Sequence, residues 1–206
     1  MYLFFACNDT NKKVTYSQQK SPTNTPNEKA LWARLIHWTE INAPAVDFKL
    51  NAGATEEELE NLEKLIQHTL PEDFKNFYRI HNGQSAYRHN GLINTDVLMS
   101  INRISAEWKQ LKSFIERYPE RSPEISNTEN VIKNNWWNPL WVPIIDEGTG
   151  DFVCIDLDPL PNGQNGQIMQ MIHDDYYRPL LDNSFHKCFE NYIIALEAGE
   201  YVYSEE

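Results

Sequence analysis

Hydrophobic residues follow two different spacings along the chain, and the change falls near residue 140. Before it, apolar residues recur at three- and four-residue steps, which is the mark of amphipathic helices. In "TPNEKALWARLIHW", Leu31, Leu35 and Trp38 share one face, with Trp32 and Ile36 beside them, predicting a helix over 28–41. Thr25 stands at the cap, Pro26 suits the first helical position and Glu28 completes a capping box. "GATEEELENLEKLI" predicts a second helix over 55–67: Thr55 caps, Glu58 reciprocates, and Leu59, Leu62, Leu65 and Ile66 form the buried stripe. Glu56 and Glu57 in its first turn favour the positive end of the helix and read as a solvated face. A third helix, over 71–81, starts at Pro71, turns Phe74, Phe77 and Tyr78 inward and stops at Asn82-Gly83, because glycine accepts the left-handed backbone past a helix end. Residues 91–100 read as a strand or turn. Trp108, Leu111 and Ile115 then place a fourth helix over 104–117.

From Trp141 the spacing alternates. "WVPII", "DFVCIDLD" and "GQIMQMIH" predict strands at 141–145, 152–157 and 166–172, joined by "DEGTG" and "PLPNGQN". Connections this short favour an antiparallel meander. A last helix, over 184–198, is capped by Ser184, buries Phe185, Phe189, Tyr192, Ile193 and Leu196, and ends at Gly199. Helices, then strands, then a helix define an α+β class with helices packed against a central antiparallel sheet. Residues 8–24 are polar and nearly free of large apolar groups, so the expected organisation is an arm or linker over 1–24 and one domain over 25–206. A polar loop or insertion with two prolines interrupts that domain near 119–135.

Charge narrows the choice of partner. A formal net charge of −12 repels phosphate backbones, which disfavours direct nucleic-acid binding, and attracts a basic protein. Cys7, Cys154 and Cys188 are odd in number and widely spaced, with no CxxC pair, so the sequence fits a reducing cytoplasm rather than a disulfide framework. No apolar run is long enough to span a bilayer. "MYLFFAC" has the small residue before a cysteine found at the end of a lipoprotein signal. It lacks the basic start and the length of the apolar stretch, so a first strand or ragged end is preferred to a lipidated Cys7.

The densest chemistry lies in "DEGTGDFVCIDLDP", residues 146–159, with five carboxylates and two glycines. An EF-hand needs oxygen ligands at positions 1, 3 and 5, glycine at 6 and glutamate at 12. Counted from Asp156, those later positions hold Leu160, Pro161 and Gln167; counted from Asp146, positions 3 and 5 are Gly148 and Gly150. Neither frame works, and the expectation is no metal and no cofactor. Asp156 and Asp158 share a strand face and could act with His173 in a hydrolase. Side by side on one strand, however, they do not flank a scissile bond, and Asp158-Pro159 suits the start of a turn. GxSxG, HExxH and Walker sequences are absent, "GTGDFV" fails the dinucleotide fingerprint at its third glycine, and Cys154 sits mid-strand as a small core residue. Val153, Ile155 and Leu157 form the core face of their strand. The other face, Phe152, Cys154, Asp156 and Asp158, grades from apolar to acidic and reads as a protein-binding rim. The expected contact set is Asp146, Glu147, Asp151, Phe152, Asp156 and Asp158.

Three stretches, "LPEDFKNFYRIHNGQ", "WVPIIDEGTGDFVCIDLDPLPNGQNGQIM" and "SFHKCFENYI", taken in this order, resemble the SUKH superfamily, in the branch of the fungal cell-wall-synthesis regulator and many bacterial immunity proteins. The resemblance covers roughly residues 32–196. It implies that the Leu70-Pro71 helix and the Trp141/Pro143 strand belong to the core and that Gly150-Asp151 turns between two strands. The usual turn is richer in glycine than this one, which carries Thr149. The superfamily has no agreed catalytic set, so the resemblance implies a binding protein. The leading expectation is a non-enzymatic immunity protein that neutralises a cognate basic toxin, such as a nuclease, delivered between competing cells. The alternatives are an intracellular scaffold or regulator of cell-wall synthesis or signalling, and a hydrolase using Asp156, Asp158 and His173.

Overall fold

The computed structural model describes residues 27–85, 90–119, 131–175 and 177–200. The first helix, α1 (Glu28–Asn42), is capped by Asn27, whose Oδ1 accepts the Ala30 N–H at 3.1 Å; the expected caps Thr25 and Pro26 lie outside the described residues. Helix α2 (Glu56–Ile66) carries the expected capping box, with the Glu58 carboxylate accepting the Thr55 N–H at 2.8 Å and Thr55 Oγ1 accepting the Glu58 N–H at 3.2 Å. Helix α3 (Glu72–Tyr78) stops before the expected 81. Its last carbonyl is claimed from outside the helix by the Ala54 N–H, and the Asn82 N–H turns to Ala52, so the chain leaves helical geometry to pair with residues 52–54. Asn82-Gly83 therefore does not end the helix. Gly83, at φ +58°, lets the backbone pass against Met99, where an added Cβ would meet the Met99 carbonyl oxygen at 2.5 Å.

The strand expected within 91–100 reduces to β1 (Val97–Leu98). Helix α4 (Ile101–Arg117) starts three residues before the expected 104, because Ser100 Oγ accepts the Arg103 N–H at 3.3 Å and Asn82 Oδ1 accepts the Ile101 N–H at 2.8 Å. Strands β2 (Trp141–Asp146), β3 (Phe152–Asp156) and β4 (Gln167–Met171) fall where alternation placed them. A fifth strand, β5 (Leu180–Asp182), was not expected: three residues behind Pro179 give no alternation to read. Helix α5 (Phe185–Glu197) begins at the expected Ser184 cap. The sheet is an antiparallel meander in the order β1-β2-β3-β4-β5, with a bulge in β2 between Pro143 and Ile145.

Register fixes the two faces. Val142, Ile145, Val153, Ile155 and Ile168 lie on one face, and Ile145 and Val153 meet Cys188, Phe189 and Tyr192 of α5. Behind α5, α1 and α3 add an aromatic layer: Phe77 stands 4.4 Å from Trp32 and 4.5 Å from Phe189 between ring centroids. Trp141, Pro143, Phe152, Cys154, Asp156, Met169 and Met171 lie on the other face, and all are buried. Helix α4 and residues 131–140 cover it. Arg103 of α4 reaches Asp146, Trp108 and Trp137 meet edge to face at 6.1 Å, and the Val131 carbonyl accepts from Gln167 Nε2. Residues 131–135, expected to be part of an insertion, are therefore anchored to the sheet, with Ile132 fully buried. The remainder of that stretch, 120–130, lies outside the described residues.

Candidate partner-binding surface

Register divides the six expected contact residues between opposite ends of β3. Asp146, Glu147 and Asp151 gather where the β2–β3 turn closes, and Asp156 and Asp158 stand at the far end of the strand. The five steps from Asp151 to Asp156 amount to about 16 Å at the usual strand rise. Burial separates them further. Asp156 has 0% of its surface exposed, Phe152 6% and Asp151 8%. None of these three offers a side chain to a partner, and the expectation of an acidic rim along the second strand face fails because α4 and residues 131–140 occupy that face. Asp146, Glu147 and Asp158 are half-buried.

At the far end, the Asp156 carboxylate accepts the Asp158 N–H at 2.9 Å and Gln167 Nε2 at 2.8 Å. Burial raises its pKa above the ordinary value, partly offset by those two donors. The buried Trp141 indole, opposite Asp156 across the β2–β3 pair, adds a weaker stabilising contact that also acts against the rise in the Asp156 pKa. Asp158 pairs with Lys133 at 2.6 Å and accepts Asn138 Nδ2 at 2.9 Å. Burial works against its charge, but Lys133 and Asn138 outweigh it and hold the carboxyl below its usual value. His173 is at the opposite end of the sheet, bonded to Asp151, so the structure does not bring Asp156, Asp158 and His173 together as a hydrolytic set requires.

The turn end is the more accessible and the more acidic. The Asp146 carboxylate pairs with Arg103 and accepts the Gly148 N–H at 2.7 Å, which shapes the turn. Gln170 Nε2 contacts both Glu147 oxygens, at 2.8 and 2.9 Å, and burial pushes the Glu147 pKa up against that bond. Two residues that the sequence did not single out join them. Asp96 precedes the β1 residue paired with Asp146; burial, then the charges of Glu147 and Asp146, lift its pKa to about 7. Glu107 of α4 is raised by burial and by Asp146. Only strand register and helix placement reveal these neighbours, since 50 residues separate Asp96 from Asp146. Asp151 crosses to the β4–β5 connection, accepting the His173 N–H at 2.8 Å and contacting His173 Nδ1 at 2.7 Å, with Thr149 Oγ1 on its other oxygen at 3.0 Å. Burial opposes its charge, and the His173 and Thr149 donors overcome this to lower the pKa. Asp174 and Asp175 continue the acidic surface in the open. This end can meet a cationic surface, and its polar groups are otherwise spent on shaping two turns. No helix among the described residues is long and apolar enough to cross a membrane.

The chain is similar to fungal proteins named as regulators. It is 24% identical over 172 residues to the glucan synthesis regulatory protein of Neurospora crassa, covering 67% of this chain and 32% of that protein. With the cell wall biosynthesis/cell cycle regulator smi1 of Schizosaccharomyces pombe it shares 24% over 211 residues, covering 97% of this chain and 42% of that protein. A shorter stretch of 56 residues is 41% identical to human F-box only protein 3, covering 27% of this chain and 12% of that protein. The chain thus spans about a third to two fifths of the length of these two fungal relatives. The SMI1/KNR4 family (SUKH-1) model matches residues 53–191, from the residues before α2 into α5, and the chain belongs to that family.

Proposed function

We propose that this chain is a non-catalytic interaction module that works inside the cell as a regulator or scaffold in the control of cell-wall synthesis. The observation that carries the reading is its similarity to proteins named as regulators of glucan synthesis and cell-wall biosynthesis, along 67% and 97% of its own length. This reverses the order of the two binding readings taken from the sequence: toxin immunity has only the shared superfamily behind it, and the regulatory reading has the named relatives. The docking surface in this reading is the acidic turn end, Asp96, Glu107, Asp146 and Glu147 with Asp174 and Asp175, and the partner presents a basic patch. Charges at such a rim act mainly on association rate and salt dependence.

The test is affinity capture of the tagged full chain from its native cells, beside a variant with Glu107→Lys and Asp175→Lys. Recovery of cell-wall-synthesis or signalling proteins with the wild type, and their loss with the variant at unchanged melting temperature, is the expected result. Recovery of a secreted toxin that the purified chain inhibits would overturn the reading in favour of immunity.

A further inference from the structure

The β2–β3 turn and the β4–β5 connection bring together three side chains, of which the proposed docking surface uses only Asp174. Asp151, His173 and Asp174 each offer one ligand-type atom, a carboxylate oxygen or an imidazole nitrogen, and these atoms lie within 4.8 Å of one another. A tetrahedral ion with bonds of about 2.1 Å holds its ligand atoms about 3.4 Å apart, so a small side-chain adjustment closes the set.

The surroundings fix two of the three residues. The Asp151 carboxylate is oriented by the His173 N–H and by Thr149 Oγ1. The His173 backbone is held on its other side as well, where its carbonyl accepts Trp136 Nε1 at 2.8 Å. Gly150, at φ +100°, leaves room for the imidazole: a Cβ there would come within 3.3 Å of His173 Cγ. His173 and Asp174 are exposed, which gives an ion a path in. Nearby Asp175 and Glu147 and the net charge of −12 favour a cation. An opposing charge, Arg178, is buried and turned to the backbone carbonyls of Asp175, Tyr177 and Trp136.

We propose that Asp151, His173 and Asp174 form a surface site for a divalent cation of the Zn²⁺ class, with water completing its shell. One imidazole with two carboxylates suits a borderline first-row ion better than Mg²⁺ or Ca²⁺, which take oxygen ligands. The ion replaces the direct Asp151–His173 side-chain contact and leaves the backbone bond between these residues in place. The proposal shares Asp174 with the proposed docking surface but does not rest on the regulatory reading, since ion binding is read on the purified chain alone.

The test is calorimetric titration of the purified chain with ZnCl₂, with MgCl₂ as competitor, and NMR of the histidine imidazoles. A saturable site of about one ion per chain is expected, with the His173 resonances shifting most and excess Mg²⁺ without effect. Asp174→Asn leaves the Asp151–His173 tie intact and should weaken Zn²⁺ binding by about tenfold or more, since even outer-shell losses cost that much. Asp175→Asn removes the same charge beside the site and should leave affinity within about twofold. Absence of a saturable site, unmoved His173 resonances, effective competition by Mg²⁺, or equal losses in the two variants would each overturn the proposal. Asp151 and His173 would then be only a hydrogen-bonded tie between turns. Should a variant fail to fold, the wild-type NMR and competition results decide.

Discussion

Gln167 Nε2 donates to the Asp156 carboxylate at 2.8 Å directly across the β3–β4 pair, and to the Val131 carbonyl at 3.1 Å. Both side chains are buried. The other Asp156 oxygen takes the Asp158 N–H, so one carboxylate ends β3, ties it to β4 and, through Gln167, anchors residues 131–140 over the sheet. Asp156→Ala strands these donors where water does not reach and should cost about 2–4 kcal/mol. Asp158→Ala removes a partly exposed pair with Lys133 and should cost less than about 1 kcal/mol. Chemical denaturation of the two single variants checks the contrast. Any loss of partner binding by Asp156→Ala should track its loss of stability.

Asp96 gives the fold a pH response with a definite sign. Its folded pKa, about 7, lies above the ordinary 3.8. Between those values the folded chain keeps a proton that the unfolded chain has released, so this group's contribution falls as pH rises through that window. Asp156 and Glu147 act in the same direction from their own raised values. Asp96→Asn should flatten the decline between about pH 4 and 7 and raise stability at pH 7 by about 1 kcal/mol. Thermal melts across pH 4–8 measure both; a slope equal to that of the wild type would count against Asp96 as its source.

Gly83→Ala distinguishes two roles for one glycine. At an ordinary helix end, the exchange would cost about 1 kcal/mol. Here an alanine meets Met99 backbone at a positive φ, with Met99 also holding the Tyr78 hydroxyl through its carbonyl. The expected cost is about 2–4 kcal/mol, read from the shift in denaturation midpoint.

Trp137→Ala tests what covers the second sheet face. Trp137 is 2% exposed, stands against Trp108 and donates its indole N–H to the Trp141 carbonyl at 3.1 Å. A loss of about 3–5 kcal/mol is expected from the cavity and the orphaned carbonyl together. Faster hydrogen exchange should appear in β2 and β3, where the cover is lost, before it appears in α1 and α5.

What the sequence determined by itself was local. The Thr55/Glu58 box, the Ser184 cap, the apolar stripe of α2 and the alternation in β2, β3 and β4 all depend on residues at most a few positions apart, and helix period, strand period and capping geometry act over that range. Short connections were enough to read the antiparallel order, and three ordered motifs carried the family. The tertiary structure decided which acids are surface. Phe152, Cys154 and Asp156 alternate like the outer face of a half-buried strand, and they became interior because α4 and residues 131–140 pack over them. It also decided the early start of α4, through Asn82, and the short β5, through pairing with β4. The meeting of Asp151 with His173, 22 positions on, and of Asp96 with Glu147 followed from register. Burial of a polar face and contact across a sheet depend on what another part of the chain brings to that face, and no spacing within a single strand encodes it.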